Sequence, residues 1–144
     1  MESRAKADAV LVKFGHIGGT KLLYSVRNDR FYICIKSKEG YQEYLVEMDE
    51  VSNLKIMELK IERKHKKILS RAFSLQKYHR DFVTSRPDAK FTQSYPSYFV
   101  VKDAAGNRYG EFSLSYLTIP SPIDTVVYAY LTKKMSELGK HGTK

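Results

Sequence analysis

The sequence has little of several residue types that would narrow its function. Its 144 residues include no tryptophan and a single cysteine, Cys34, which excludes an internal disulfide and any paired-cysteine metal or redox motif. No run approaches the roughly 20 apolar residues of a membrane span, and residues 1–8 (MESRAKAD) lack the apolar centre of a signal peptide. We therefore expect an intracellular protein of a reducing compartment, cytoplasmic or nuclear, with no membrane span.

Acidic residues are also scarce. There are 16 Asp and Glu against 25 Lys and Arg, which gives a formal net charge of +9. A compact body with this excess attracts polyanions, so nucleic acid or an acidic protein surface is the expected partner. Apolar residues make up 42% of the chain, enough for a real core. We expect a single domain over residues 1–144, with 1–7 and 139–144 as flexible tails.

Turn residues divide the chain into short segments whose periods predict an α+β fold. Glycines at 15–19, the Asn28-Asp29 pair and Gly40 separate apolar runs typical of an antiparallel meander. The predicted order is ββββ-α-ββ-α, with an antiparallel sheet packed on one long basic helix and a C-terminal helix. The predicted strands are 9–15, 21–27, 30–36, 41–48, 95–103 and 108–119, and the predicted helices are 52–84 and 123–138.

The segment 52–84 has no proline or glycine and shows a helical apolar period. Asp49, Ser52 or Asn53 is expected to cap the helix. The segment holds nine basic residues against three acidic ones, so its remaining surface is strongly positive. The sequence therefore predicts one long basic amphipathic helix. Its apolar stripe is Leu54, Met57, Ile61, Ile68, Ala72, Leu75 and Phe82.

A second stripe, of basic residues, runs beside the apolar one at steps of four, three and four. Its members are Lys60, Lys64, Lys67 and Arg71. On a helix it would be roughly 16 Å long, enough to contact several consecutive phosphates. A solvated outer helix face is the alternative interpretation. The residues expected to bind nucleic acid are Lys60, Arg63, Lys64, Lys67 and Arg71, followed by Arg30 and Tyr32.

Tyrosine is abundant, with 11 residues, and many lie on or beside predicted strands. Strand aromatics next to cations, as in Arg30-Phe31-Tyr32, are typical of surfaces on which unpaired bases stack. Half-buried packing is the alternative, because tyrosine favours strands. Without a helix-turn-helix or zinc-finger pattern, single-stranded DNA or RNA is favoured over duplex. The predicted function is therefore a non-catalytic nucleic-acid-binding protein with no cofactor or metal.

Two other functions stay open. The same basic residues would serve a protein-interaction module, an inhibitor or adaptor that docks on an acidic partner. A small metal-dependent nuclease could use Asp49, Glu58 and Lys60, provided Glu58 and Lys60 lie on a strand beside Asp49. His16, in a glycine-rich loop, could act as a general acid or base. Neither the oligomeric state nor the kind of nucleic acid follows from the sequence.

Overall fold

One antiparallel sheet organises the chain. The structure is a computed structural model, and it describes residues 2–27, 29–51, 53–73, 90–119 and 125–141. The described order is α-ββββ-α-ββ-α, with a short 3-10 turn at Arg63–His65 before the second helix. The elements are α1 (Glu2–Val12), β1 (Thr20–Val26), β2 (Arg30–Ser37), β3 (Gly40–Met48), β4 (Leu54–Leu59), α2 (Lys66–Phe73), β5 (Lys90–Lys102), β6 (Arg108–Ile119) and α3 (Thr125–His141).

The six strands lie in the order β4-β3-β2-β1-β5-β6, and every neighbouring pair is antiparallel. β2 and β3 form a hairpin whose two-residue loop is Lys38-Glu39, closed by Gly40 at φ +116°. A positive φ is easy for glycine and strained for other residues, so Gly40 suits this tight turn. The α+β class and the antiparallel sheet are confirmed.

Helices cover both faces of the sheet, because alternate residues of each strand point to opposite sides. Leu23, Ile33 and Val46 face α1, whereas Leu22, Cys34 and Leu45 face α2 and α3. All six of these side chains are fully buried. The core therefore consists of two apolar layers, one on each side of the sheet.

The first element differs from the prediction, since residues 9–15 were expected to form a strand and 1–7 a flexible tail. The structure instead has α1 over Glu2–Val12. Ala7, Val10, Leu11 and Phe14 are buried at spacings of three, one and three. These spacings place them on one helical face that packs on the sheet. Residues 9–15 alone are a short apolar run typical of a strand, but once Ala7 is included the apolar residues show a helical period.

An ionic contact also fixes α1. The Asp8 carboxylate accepts hydrogen bonds from Lys102 Nζ at 2.9 Å and from Arg108 Nη2 at 2.6 Å. Burial disfavours ionisation of Asp8, but the hydrogen bonds and charges of the two cations outweigh it and lower the pKa of Asp8 below its ordinary 3.8. The contact joins the first helix to both strands of the β5–β6 hairpin.

The predicted long helix over 52–84 is wrong in its first part. Leu54–Leu59 is an edge strand paired with β3, and the described helix covers only Lys66–Phe73. The Asp49 side chain forms a turn, since its Oδ1 accepts the N–H groups of Val51 and Asn53. This turn reverses the chain into β4 instead of capping a helix. The part of the prediction after Phe73, residues 74–84, lies outside the described residues.

The remaining predicted elements agree with the structure. The predicted strands 21–27, 30–36 and 41–48 match β1, β2 and β3, and 95–103 and 108–119 match β5 and β6. The predicted helix 123–138 corresponds to α3, which extends to His141. Four strands do precede α2, but the set differs: the predicted first strand is α1, and β4 comes from the predicted helix.

The loop between α1 and β1 depends on a glycine. Gly19 has φ +126°, and a Cβ added there would lie 2.3 Å from the carbonyl oxygen of Lys36. Gly19→Ala should therefore lower the free energy of unfolding by about 1–3 kcal/mol, from backbone strain and the clash. Gly18→Ala is the matched control, since a Cβ at Gly18 meets nothing within 4 Å. Urea denaturation followed by circular dichroism measures both. Equal stability of the two variants would contradict this account of the loop.

Candidate nucleic-acid interface

A basic segment, defined here as residues 60–71, leads from the edge of the sheet onto its α3-covered face. It carries six basic residues and one acidic residue, Glu62. All six basic residues are exposed, in a stretch that is extended at first, then a 3-10 turn, then the start of α2. They are Lys60, Arg63, Lys64, Lys66, Lys67 and Arg71.

Apolar anchors hold the basic segment against the core. Leu69, Ala72 and Phe73 are buried on the inner side of α2, and the Phe73 ring lies 5.9 Å from the ring of Tyr41 on β3. Ile61 packs against the same cluster before the helix begins. With apolar groups on the inner side and cations on the outer side, the segment presents its charge from a fixed support.

The shape of the charged surface differs from the predicted helical stripe. Only Lys67 and Arg71 lie four residues apart on the same helix. Lys64 belongs to the preceding 3-10 turn, and Lys60 to the extended residues after β4. The cations therefore follow a bent path around the edge of the sheet, and the straight 16 Å row is not formed.

Glu62 is paired within the segment. Its Oε2 lies 3.2 Å from Lys64 Nζ and 3.9 Å from His65 Nε2. The hydrogen bond and charge of Lys64 lower the pKa of Glu62, with smaller contributions from His65 and Lys134. Since the segment holds one carboxylate and six basic side chains, it keeps a large excess of positive charge.

A buried carboxylate lies beneath this surface. Glu43, on β3, is completely buried, and its Oε2 accepts hydrogen bonds from the hydroxyls of Tyr32 and Tyr130. Lys134 Nζ lies 3.6 Å from the other carboxylate oxygen, which accepts no hydrogen bond within the described residues. A buried charge is tolerated only when it is paired and hydrogen-bonded. These contacts join β2 and β3 to α3 at one point.

The same cluster contacts the basic segment through His65. The His65 ring packs edge-on against Tyr130, with centroids 5.1 Å apart, and Lys134 lies 5.4 Å from the centroid of that Tyr130 ring. Burial raises the pKa of Tyr130 and of Tyr32, and their contacts with Glu43 raise both further. Both tyrosines therefore keep their protons and donate to Glu43. The 3-10 turn that carries Arg63 and Lys64 thus rests on the cluster.

The structure does not bring every predicted site residue together. Tyr32 is fully buried, so its ring is not available to a base, and the prediction that it contacts nucleic acid is wrong. Arg30 is half-buried at the start of β2. The β2 residue in line with Leu59, at the end of β4, is Cys34, because both pair with Glu43 of β3. Arg30 is four positions from Cys34 along β2. Four strand residues span about 13 Å, so Arg30 and Lys60 lie at opposite ends of the strands.

The strand tyrosines whose side chains the structure describes do not form the predicted stacking platform. Tyr24, Tyr44 and Tyr98 are buried like Tyr32, and helices cover both faces of the sheet. Tyr41 is partly buried against Phe73. These rings fill the core, as strand propensity and packing alone would require.

The residues of the nuclease alternative are also separated. Glu58 does lie on a strand, where it pairs with Tyr44 of β3. Asp49 is far from this pair, because it follows Met48 at the other end of β3, four positions beyond Tyr44. That distance is about 13 Å along the strand. Across the described residues, no group of three or more His, Cys, Asp and Glu is placed to hold a metal ion. Asp49 instead accepts two backbone hydrogen bonds in its turn.

His16 lies at an open cavity of about 640 Å³ at the end of the sheet that holds the β2–β3 loop. Lys38 and Glu39 of that loop line the same cavity, together with Gln42 of β3. No polar partner for His16 could be predicted from the sequence, because these residues are more than twenty positions away along the chain. The fold brings them together.

Sequence reasoning missed the buried cluster of Glu43, Tyr130 and Lys134. A signal was present on β3, where Glu43 alternates in step with Tyr41 and Leu45 on one predicted face. A carboxylate between two apolar side chains on one strand face indicates a buried partner. Lys134 follows Tyr130 by one helical turn, which places both on the same side of α3.

Comparison with family models, curated proteins and solved structures found no significant match for this chain. Within the described residues, no helix is long and apolar enough to cross a membrane.

Proposed function

We propose that this chain is a nucleic-acid-binding protein without catalytic activity, and that the basic segment contacts the phosphates. The observation that supports this is the exposure of all six basic side chains of the segment on a firmly anchored support. Each cation that neutralises a phosphate releases a counterion and adds affinity. Lys60, Arg63, Lys64, Lys67 and Arg71 belong to this surface, together with Lys66.

The composition of the surface favours nucleic acid over an acidic protein partner. Protein interfaces are typically rich in aromatic residues and arginine and poor in lysine. Four of the six cations here are lysines. The exposed large apolar side chains in the described part of the chain are Val12, Val51 and Ile56, all outside the basic segment. The segment thus offers a partner charge without a large exposed apolar side chain, which suits a phosphate backbone.

The proposal is tested by fluorescence anisotropy with labelled single-stranded RNA, single-stranded DNA and duplex DNA at two salt concentrations. Four to six phosphate contacts on a single strand predict a slope of log affinity against log salt of about −3 to −4. Raising the salt from about 50 to about 200 mM should then weaken binding by roughly 100-fold. Inorganic polyphosphate at matched charge serves as the competitor.

Two outcomes would contradict the proposal. The first is the absence of binding to all three nucleic acids at low salt. The second is binding that does not change with salt, since contact with phosphates requires counterion release. The first result would favour the alternative of an acidic protein partner.

A further inference from the structure

The cavity beside His16 is a second feature with the properties of a binding site. Three separate parts of the chain form it: the α1–β1 loop, the β2–β3 loop and the turn between β5 and β6. Its volume of about 640 Å³ lies within the range of small-molecule sites. The lining includes apolar Ile17 and Ala104 beside polar His16, Lys38, Glu39 and Gln42.

The described structure holds each wall of this cavity in place. Phe14 is buried in the core and anchors the α1–β1 loop, and Gly19 lets that loop approach the carbonyl of Lys36. Ser37 Oγ accepts the N–H of Glu39 across the β2–β3 loop. Asp103 Oδ1 accepts the N–H groups of Ala105 and Asn107 in the third turn. The cavity is therefore formed before any ligand arrives.

Three polar side chains at the cavity are available to a ligand. Within the described part of the chain, the side chains of His16, Lys38 and Glu39 have no hydrogen-bond or ion-pair partner. Lys38 and Glu39 are neighbours in the hairpin loop, so their Cα atoms are about 3.8 Å apart. Because both side chains line the cavity, it offers a cation and a carboxylate, which suit a ligand that carries an anion next to hydroxyl groups.

The cavity is also close to the basic segment. Leu59 of β4 pairs with Glu43 of β3, and the two strands are antiparallel. The residue after Leu59, Lys60, therefore comes next to the residue before Glu43, Gln42. Adjacent strands are about 5 Å apart, so the start of the basic segment lies beside the cavity wall. A single strand of nucleic acid whose phosphates follow the basic segment would therefore pass next to the cavity.

From this arrangement we infer that the cavity receives one unpaired ribonucleotide of a single-stranded RNA bound along the basic segment. Lys38 and His16 contact its phosphate, Glu39 accepts the 2′-hydroxyl, and the Gln42 amide hydrogen-bonds to the edge of the base. A carboxylate that accepts a ribose 2′-hydroxyl recurs in nucleotide sites, and this hydroxyl distinguishes RNA from DNA. The inference rests on the proposed function and adds the kind of nucleic acid.

The test compares the full chain on an eight-nucleotide RNA and on the DNA of the same sequence. We expect RNA to bind about tenfold more tightly, because a hydrogen bond to a charged acceptor is lost with DNA. Glu39→Gln should reduce this RNA-to-DNA ratio towards one. Glu50→Gln is the matched control, since Glu50 is an exposed carboxylate in the turn before β4, and it should leave the ratio unchanged.

A second measurement locates the ligand. Adenosine 5′-monophosphate, titrated into isotope-labelled protein, should shift the backbone amide signals of Gly18, Gly19 and Gln42 in NMR spectra. Equal affinity for RNA and DNA, or shifts confined to the basic segment, would overturn the inference and leave the proposed function standing. If neither nucleic acid binds at low salt, the proposed function itself fails.

Discussion

Reversing Lys64, Lys67 and Arg71 to glutamate should abolish nucleic-acid binding while the protein stays folded. The three side chains are exposed, so the change leaves the buried anchors of the segment in place. It removes three of the proposed phosphate contacts and adds three repulsive charges at the same surface. We expect a loss of affinity of more than about 100-fold at low salt and a shallower salt slope. Fluorescence anisotropy with labelled RNA and circular dichroism of the variant measure the two effects.

The matched control carries the same change in net charge elsewhere. Lys13, Lys55 and Lys133 are exposed on the α1–β1 loop, on β4 and on α3, and their reversal to glutamate lowers the net charge equally. If the control loses as much affinity as the first variant, binding depends on total charge and the basic segment has no special role. Unchanged affinity in the folded first variant would contradict the assignment directly.

Replacing Glu43 with alanine should destabilise the fold more than any surface substitution considered above. The change leaves the hydroxyls of Tyr32 and Tyr130 without their acceptor and Lys134 buried without its counter-charge. Removing one partner of a buried ion pair typically costs about 3–5 kcal/mol. We expect a loss of that size in the free energy of unfolding, measured by urea denaturation followed by far-ultraviolet circular dichroism.

Glu47→Ala provides the comparison on the same strand. Glu47 is half-buried, lies opposite Arg30 and Lys55 in the sheet, and should contribute about 1 kcal/mol or less. The double variant Glu43→Leu, Lys134→Met replaces both charges with apolar groups and should recover part of the stability. If Glu43→Ala costs no more than Glu47→Ala, the buried cluster does not hold α3 to the sheet.

The hairpins and the C-terminal helix could be predicted because their signals are local. Turn residues such as the Lys38-Glu39-Gly40 group fix the connections, and alternation over six or more residues identifies a buried strand face. The stripe through Val127, Leu131 and Met135 likewise predicts α3. In these parts the local preference and the tertiary structure agree.

The segment 52–84 could not be predicted correctly, because two periods fit its first residues. Leu54, Met57 and Ile61 satisfy a helical stripe. Half-buried Met57 and Leu59 also alternate with exposed Ile56 and Glu58, as in an edge strand. The Asp49 turn decides between them by reversing the chain alongside β3. The available edge of β3 is a tertiary fact, and no local propensity contains it.

The candidate site was predicted in part. A sequence shows which segment is rich in charge, but it does not show which distant residues the fold brings together. The basic residues of 60–71 are exposed as a charged segment should be, but Tyr32 is buried and Arg30 lies elsewhere. The cavity around His16 depends on residues from three parts of the chain. Such a grouping follows from the strand order, which a single sequence does not specify.

The rate at which the only thiol of the chain is chemically modified can report how often the sheet opens. Cys34 lies on β2, in the interior of the sheet, with no exposed surface, and burial raises the pKa of its thiol. Only a reactive thiolate in contact with solvent is alkylated, so a thiol reagent modifies the protein only while β2 is uncovered. The rate of labelling in native buffer therefore reports how often the centre of the sheet opens, without denaturant or an added probe.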